Sequence, residues 1–407
     1  MLYLIIFILL LVLSYRYDYC GKEKGRTVWI WVVLLLFILI AGLRYRIGTD
    51  SIRYETYFTR NCPVIEDLAM HDFQKTRFAP LYIILNSIVR TFTDDFMVFQ
   101  FIHATIVGSV MVWFLVHNTR NVFFAFAVFS LFLYLLLLTE VLRESLAVSV
   151  FLLAWPFFKE GKWLKWYAMS VIGVLCHTSA VVMVVLPLIC LPGLRSIFIF
   201  GKRTGLICIL ILLLAIGVQI MFFRYIQLLA ISENVSERAE VYSKSHYGTQ
   251  GLNPMGMLGQ TIRYVIYPLC ALYFLYKNKT YNKIVGTGGF DKLVAFSLMS
   301  VYVAIFSMMV PIISRYMNYF FPFTIIVLSD FIYCRLPVLS REIRFKFIYW
   351  ILFFLPMFAM QLQLGYLGAV NPSKTLKAYM PYYPYSSRIE MSKDTDREKW
   401  YRYQHAW

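Results

Sequence analysis

The sequence predicts an all-α, polytopic integral membrane protein, and three observations carry that expectation. About 60% of the 407 residues are hydrophobic, and the mean hydropathy is +0.65. The apolar residues fall in runs long enough to span a bilayer. The 39 Lys+Arg against 22 Asp+Glu give a formal net charge of +17, and the charges gather mostly between those runs. This composition excludes low-hydropathy disorder, a collagenous chain and a small disulfide-stapled domain.

A spanning helix needs about 20 mostly apolar residues. Ten windows qualify: roughly 2–17, 27–43, 96–117, 121–139, 141–158, 205–224, 258–276, 292–311, 315–334 and 346–364. The first lacks a basic leader and a small-residue cleavage site, so it reads as a span and not as a signal peptide.

Two apolar stretches break the pattern. In Pro80–Phe92, Leu81, Ile84, Leu85, Ile88, Val89 and Phe92 share one helical face. Asn86, Ser87, Arg90 and Thr91 fall on the other, as expected of a helix lying in the membrane interface. Segment 164–191 is long for one span and short for two, and Cys176-His177-Thr178-Ser179 makes its middle polar. It reads as a re-entrant helix pair, tolerated where the break is buried in protein or lines a wet cavity.

Orientation follows from Lys and Arg in short loops. Clusters at 16–27, 159–165, 195–203, 277–292 and 335–346 share one side if 80–92 does not cross and 164–191 enters and returns. That side is cytoplasmic, so both termini face outward. The transmembrane domain is then 1–364. Its outward segments are 44–95, which includes the interfacial helix, and 225–257; a Tyr/Pro-rich tail, 365–407, drapes over the outer face.

The seven cysteines form no CxxC pair or Cys/His cluster, so no metal site is indicated. Walker A, GxGxxG, HExxH and GxSxG motifs are absent, and no cofactor is expected. The basic excess is mainly the positive-inside signal and implies no nucleic-acid partner.

Several cations do not fit that signal. Arg44 and Arg46 end the second span on the outside, Arg143 starts the 141–158 span, Arg263 lies inside 258–276, and Arg315 opens 315–334. Arginines at membrane depth are costly unless paired or offered an anion, and guanidinium forks match phosphate oxygens. The set suggests a lipid-linked phosphate or pyrophosphate ligand; the competing reading is headgroup snorkelling with local ion pairs. Asp50 and Glu140 lie nearby as general-base candidates or as charge partners, and Glu140 is one turn from Arg143. His177 interrupts the re-entrant pair and is read as structural or catalytic. The tail tyrosines would form an interfacial belt or stack on sugar rings.

These residues also carry a resemblance. Arg44-Tyr45-Arg46-Ile47-Gly48-Thr49-Asp50, followed by Tyr54 and Tyr57, resembles the R-x-x-x-G-T-D-x-x-x-Y signature of the EpsG family, Wzy-type polysaccharide polymerases of bacterial envelopes. Leu142-Arg143-Glu144-Ser145-Leu146-Ala147 is similar to its L-R-Q-x-L-A segment, with Glu144 where Gln is usual. His177-Thr178-Ser179-Ala180, Arg315-Tyr316 and Tyr383-Pro384-Tyr385-Ser386 resemble later segments, in the family's order.

The resemblance implies a C-type glycosyltransferase-like fold in a bacterial inner membrane, with its active face outward. It implies polymerisation of undecaprenyl-pyrophosphate-linked repeat units into O-antigen, capsule or exopolysaccharide. Asp50, Glu140 and His177 become the catalytic candidates. Arg44, Arg46, Tyr54, Arg143, Arg263, Arg315, Tyr316, Tyr383 and Tyr385 become the substrate-binding ones. The expected partners are the lipid-linked glycan, the bilayer and, as a candidate, a chain-length regulator. An O-antigen ligase-like transferase and a lipid-linked glycan transporter or flippase are the alternatives.

Overall fold

The computed structural model describes residues 2–73, 78–225, 254–277, 291–331, 373, 375–377, 379–389 and 395–405. Among the described residues the regular structure is helical, and the one pairing of extended chain is an antiparallel bridge between Arg44 and Ser387. The windows from 2–17 to 315–334 each hold helix in these residues. The 346–364 window and most of the 225–257 segment lie outside them. Two helical segments, Leu2–Tyr19 and Phe96–Asn118, are long and apolar enough to cross a membrane individually; shorter apolar stretches of helix include Arg26–Gly42, Val122–Phe132 and Lys292–Ser307.

The chain divides into two compact units, residues 1–187 with 358–407, and residues 188–357. The first contains α1 (Leu2–Leu13), α2 (Arg26–Gly42), α3 (Ser51–Thr56), α4 (Pro80–Phe92), α5 (Phe96–Asn118), α6 (Val122–Phe132), α7 (Leu142–Glu160) and α8 (Trp163–Cys176). α2, α5, α7 and α8 pack side by side, and α1 packs on α6. Phe37 of α2 is buried against the rings of Phe129 and Tyr134, 5.6 and 5.0 Å between centroids. Asp18 is also buried, where its carboxylate accepts from the Phe124 amide (2.8 Å) and satisfies a donor that the start of α6 cannot pair internally. α1 exposes Leu4, Ile5, Ile8 and Val12, an apolar outer face suited to hydrocarbon.

α4 spans the amphipathic stretch, but its packed side mixes polar residues with apolar ones. Asn86 and Ser87 are fully buried with Tyr82, Ile83 and Val89, while Ile88 and Phe92 are exposed. Asn86 can face inward because its Nδ2 donates to the Tyr82 carbonyl (2.7 Å). The apolar ridge points out, the arrangement expected when the surrounding solvent is lipid.

α8 stops at His177, whose backbone is extended, and a short 3₁₀ segment, Thr178–Val181, then folds back onto α8. Trp166 Nε1 donates to the Met183 carbonyl across the fold (2.8 Å). Gly173 permits the approach: a Cβ there would lie 3.1 Å from Ala180 Cβ and Met183 Sδ.

The second unit contains helices Thr204–Tyr225, Pro254–Lys277 with a π-turn at Ile262–Ile266, Lys292–Ser307, and Met317–Phe331. Val265, Val301, Ala304, Ile305 and Met308 form its buried core.

The α2–α5 contact turns on Gly42. A Cβ at that position would lie 2.7 Å from Phe101 Cδ2 and 3.0 Å from Phe101 Cα. Because the second atom is backbone, a side-chain rotation cannot relieve it. Gly42→Ala should therefore cost about 1–3 kcal/mol of stability, the usual range for overpacking. Thermal unfolding in detergent checks this, and an unchanged midpoint would contradict the packing.

Candidate functional site

The site is built on the loop that leaves α2. Residues 43–50 must turn back across the bundle end, and two positive-φ residues, Arg46 (+50°) and Gly48 (+107°), make the turn. Glycine fits the second position for two reasons. L side chains rarely adopt that φ, and a Cβ would lie 2.9 Å from the Thr139 carbonyl oxygen and 3.2 Å from Glu140 Oε1.

That close approach brings Thr49 onto Glu140. The Thr49 amide donates to Glu140 Oε1 (2.6 Å), and the Thr49 hydroxyl donates to Glu140 Oε2. The Tyr382 side chain hydrogen-bonds the same carboxylate. Glu140 is 5% exposed and sits in a π-turn, Leu136–Glu140, after α6; such turns are common at functional positions. Its neighbour Asp50 precedes α3 and is half-buried, and its carboxylate does not cap that helix.

Tyr54 joins this pair to α7. Its buried hydroxyl is hydrogen-bonded to Arg143 and lies in the fields of Asp50 and Glu140. Burial pushes its pKa up to about 12 against the pull of Arg143, so it stays a neutral phenol at physiological pH. The Arg143 guanidinium stacks over the Phe78 ring at 4.7 Å.

The predicted arginines separate into different states. Arg44 is 1% exposed; its Nη1 donates to the Ala41 carbonyl, while Nε and Nη2 are buried without a hydrogen-bond partner. Burial lowers its pKa to about 10, so it is still a cation at neutral pH. Tyr3, Tyr134, Tyr385 and Glu140 lie around it, but no ion pair joins Arg44 to a carboxylate among the described residues. Arg46 is paired instead, its Nε with Glu55 (3.0 Å) and its Nη1 with Glu398 (3.5 Å). Arg263, Arg315 and Tyr316 belong to the second unit. There Arg263 is buried, its Nε donating to the Gly259 carbonyl (3.1 Å), and Arg315 is exposed.

His177 closes its own turn: its Nδ1 accepts from the Ser179 amide (3.2 Å) and meets the Ser179 hydroxyl at 2.6 Å. This caps the 3₁₀ segment. The tail tyrosines differ from one another. Tyr385 donates to the Ile40 carbonyl (3.0 Å), whereas Tyr383 is 45% exposed and packs edge-on against Tyr379.

The tail fixes the loop from its other side. The Tyr45 amide donates to the Ser386 carbonyl (2.8 Å), the Gly48 amide to Pro381 (3.0 Å), and the Arg388 amide to Leu43 (2.9 Å). Beyond it, the charged end forms a helix, Thr395–His405. Its Arg397, 5% exposed, donates to the Tyr45 and Pro384 carbonyls (3.4 and 2.6 Å). Sequence reasoning missed Thr49, Phe78, Tyr382 and Arg397 as site residues. Thr49 lay within the quoted signature and Tyr382 among the tail tyrosines, but Phe78 and Arg397 carried no local signal.

The EpsG family model matches residues 26–387. No curated protein and no solved structure gives a significant match. The matched span includes Asp50, Tyr54, Glu140 and Arg143 and ends before the Thr395–His405 helix.

Gly48→Ala should raise amide exchange in two stretches together, 45–51 and 381–388, because the loop and the tail share hydrogen bonds. Hydrogen–deuterium exchange by mass spectrometry reads this directly. Faster exchange in the loop alone would show that the tail does not hold it.

Proposed function

The chain belongs to the EpsG family, a polysaccharide polymerase family, and we propose that it joins undecaprenyl-pyrophosphate-linked repeat units by glycosyl transfer at the outer leaflet of a bacterial inner membrane. It is a membrane protein, as its apolar helices and its family agree. The observation that carries the finer reading is one cluster that gathers two carboxyls, Asp50 and Glu140, with Arg143 and the buried, incompletely bonded Arg44.

In this reading the growing chain leaves its carrier as the anomeric C–O bond to pyrophosphate breaks. A hydroxyl at the non-reducing end of the next unit forms the new glycosidic bond. Negative charge grows on the departing pyrophosphate, and preorganised cations in a low-dielectric site stabilise it. Arg143 is placed for this by Phe78 and Tyr54, and Arg44 has two nitrogens without partners. The acceptor hydroxyl must lose a proton. Glu140 already accepts from Thr49 and Tyr382, which leaves Asp50 as the base and Glu140 as the residue that positions the loop. His177 acts as a turn cap, and Arg46 as a paired support for the loop. Arg263, Arg315, Tyr316 and Tyr383 stay proposed contacts for the carrier or the glycan.

The test is purified protein in lipid, supplied with the lipid-linked repeat unit as sole substrate. Wild type should extend chains. Asp50→Asn should lower the rate by about 10²–10⁴-fold, the range for losing a general base. Arg143→Ala should be similarly impaired, with Arg143→Lys intermediate because a point charge replaces the fork. Full activity in both Asp50→Asn and Glu140→Gln would remove both acids as bases, and no extension by wild type would favour transport. Growth only after a second acceptor is added would favour a ligase.

A further inference from the structure

Next to the Gly48–Asp50 loop, and still within the first unit, lies an open pocket of about 90 Å³. Arg46 and Glu55 form one side, Asp94, Asp95 and Gln100 the start of α5, and Arg388 enters from the tail.

Most of the charges around it are engaged, although Arg44, which also lines it, keeps two nitrogens without partners. Arg46 is paired with Glu55 (3.0 Å), Arg388 with Asp95 (3.5 Å), and Asp94 with Arg90 (3.1 Å). Asp95 also accepts from the Met97 amide (3.0 Å). A free phosphate would meet three carboxylates, and an apolar ligand would strand every polar wall.

Beside the cationic demand of Arg44 there is a neutral one. Gln100 is 4% exposed, and its Nε2 donates to the Arg44 carbonyl (3.3 Å). That bond fixes which way the amide points, since the reverse would set two acceptors face to face. Gln100 Oε1 is then a buried acceptor with no partner. A buried polar atom left unpaired is costly, and it awaits a donor. A sugar hydroxyl supplies one, while neighbouring hydroxyls can bridge the carboxylate and guanidinium rims.

We propose that this pocket is a subsite for a neutral sugar residue of the glycan, recognised through a hydroxyl that donates to Gln100 Oε1. Ser51 lines the pocket and directly follows Asp50, so a sugar seated there lies beside the assigned base. The pocket is thereby the seat of the acceptor's terminal residue, an assignment that rests on the polymerase reading above.

The probe is the repeat-unit oligosaccharide released from its lipid carrier by mild acid and dephosphorylated. It is titrated by saturation-transfer NMR against wild type, Gln100→Leu and Asp94→Trp, with thermal unfolding as the control for folding. Asp94 is 84% exposed, so a tryptophan there can obstruct the mouth without entering the core. Wild type should bind the free glycan, and both variants should bind at least about tenfold more weakly. In the chain-extension assay the variants should raise the acceptor KM more than they lower kcat. No binding by wild type, or equal affinity in the folded variants, would each overturn the subsite. Glycan binding without chain extension by wild type would instead overturn the polymerase reading and leave the sugar site standing.

Discussion

The arrangement at the bundle end depends on one carboxylate. Glu140 accepts two hydrogen bonds from Thr49 and is contacted by Tyr382, so it ties the loop after α2 to the turn before α7 and to the tail. A buried carboxylate holding three donors in a region of low polarity is strongly directional, because losing a partner would leave charge without solvation. The loop's backbone is shaped to reach it. Gly48 takes a conformation that brings the chain within contact of Thr139, and Arg46 holds a positive φ between two ion pairs. Those exposed pairs each contribute only about 0.2–1 kcal/mol, so they support the loop and do not define it.

The same anchor separates groups that look equivalent in the sequence. Asp50 and Glu140 are both acids near arginines, yet one is occupied by the loop and the other stands at its edge. Arg44 and Arg46 are two residues apart. One is buried with incomplete bonding, and the other is paired with Glu55 and Glu398. Residues i and i+2 leaving a helix point in different directions, and a strained turn exaggerates the difference. Their chemistry diverges accordingly: a desolvated cation seeks an anion, whereas a paired one is already neutralised.

Much of the fold was legible because hydrocarbon-length apolar runs are a strong signal. The helices from Leu2 to Phe331 occupy the expected windows, α4 spans Pro80–Phe92, and the chain breaks at His177. The facing of α4 was not legible. Periodicity separates an apolar from a polar side, but it does not say whether protein or lipid meets the apolar one. Here Asn86 and Ser87 are buried and Phe92 looks outward. The site was legible in part. Tyr54 and Arg143 were both site candidates, but their contact, in the fields of Asp50 and Glu140, is a finding of the structure. The division of labour between the acids was hidden, since it depends on Thr49 and Tyr382 reaching across the chain. Arg397 was hidden for the same reason: it acts on backbone carbonyls, which leave no trace in residue type.

The long reach of the tail sets an order of events during synthesis. Tyr385 bonds to Ile40 across 345 positions of sequence, and Arg397 to Tyr45 across 352. Residues 43–50 leave the ribosome early, and the tail partners that complete their hold arrive only after the second compact unit has been made. Contacts of such separation form late and slowly. A nascent chain could therefore be inserted, helix by helix, while the loop after α2 still lacks its tail contacts.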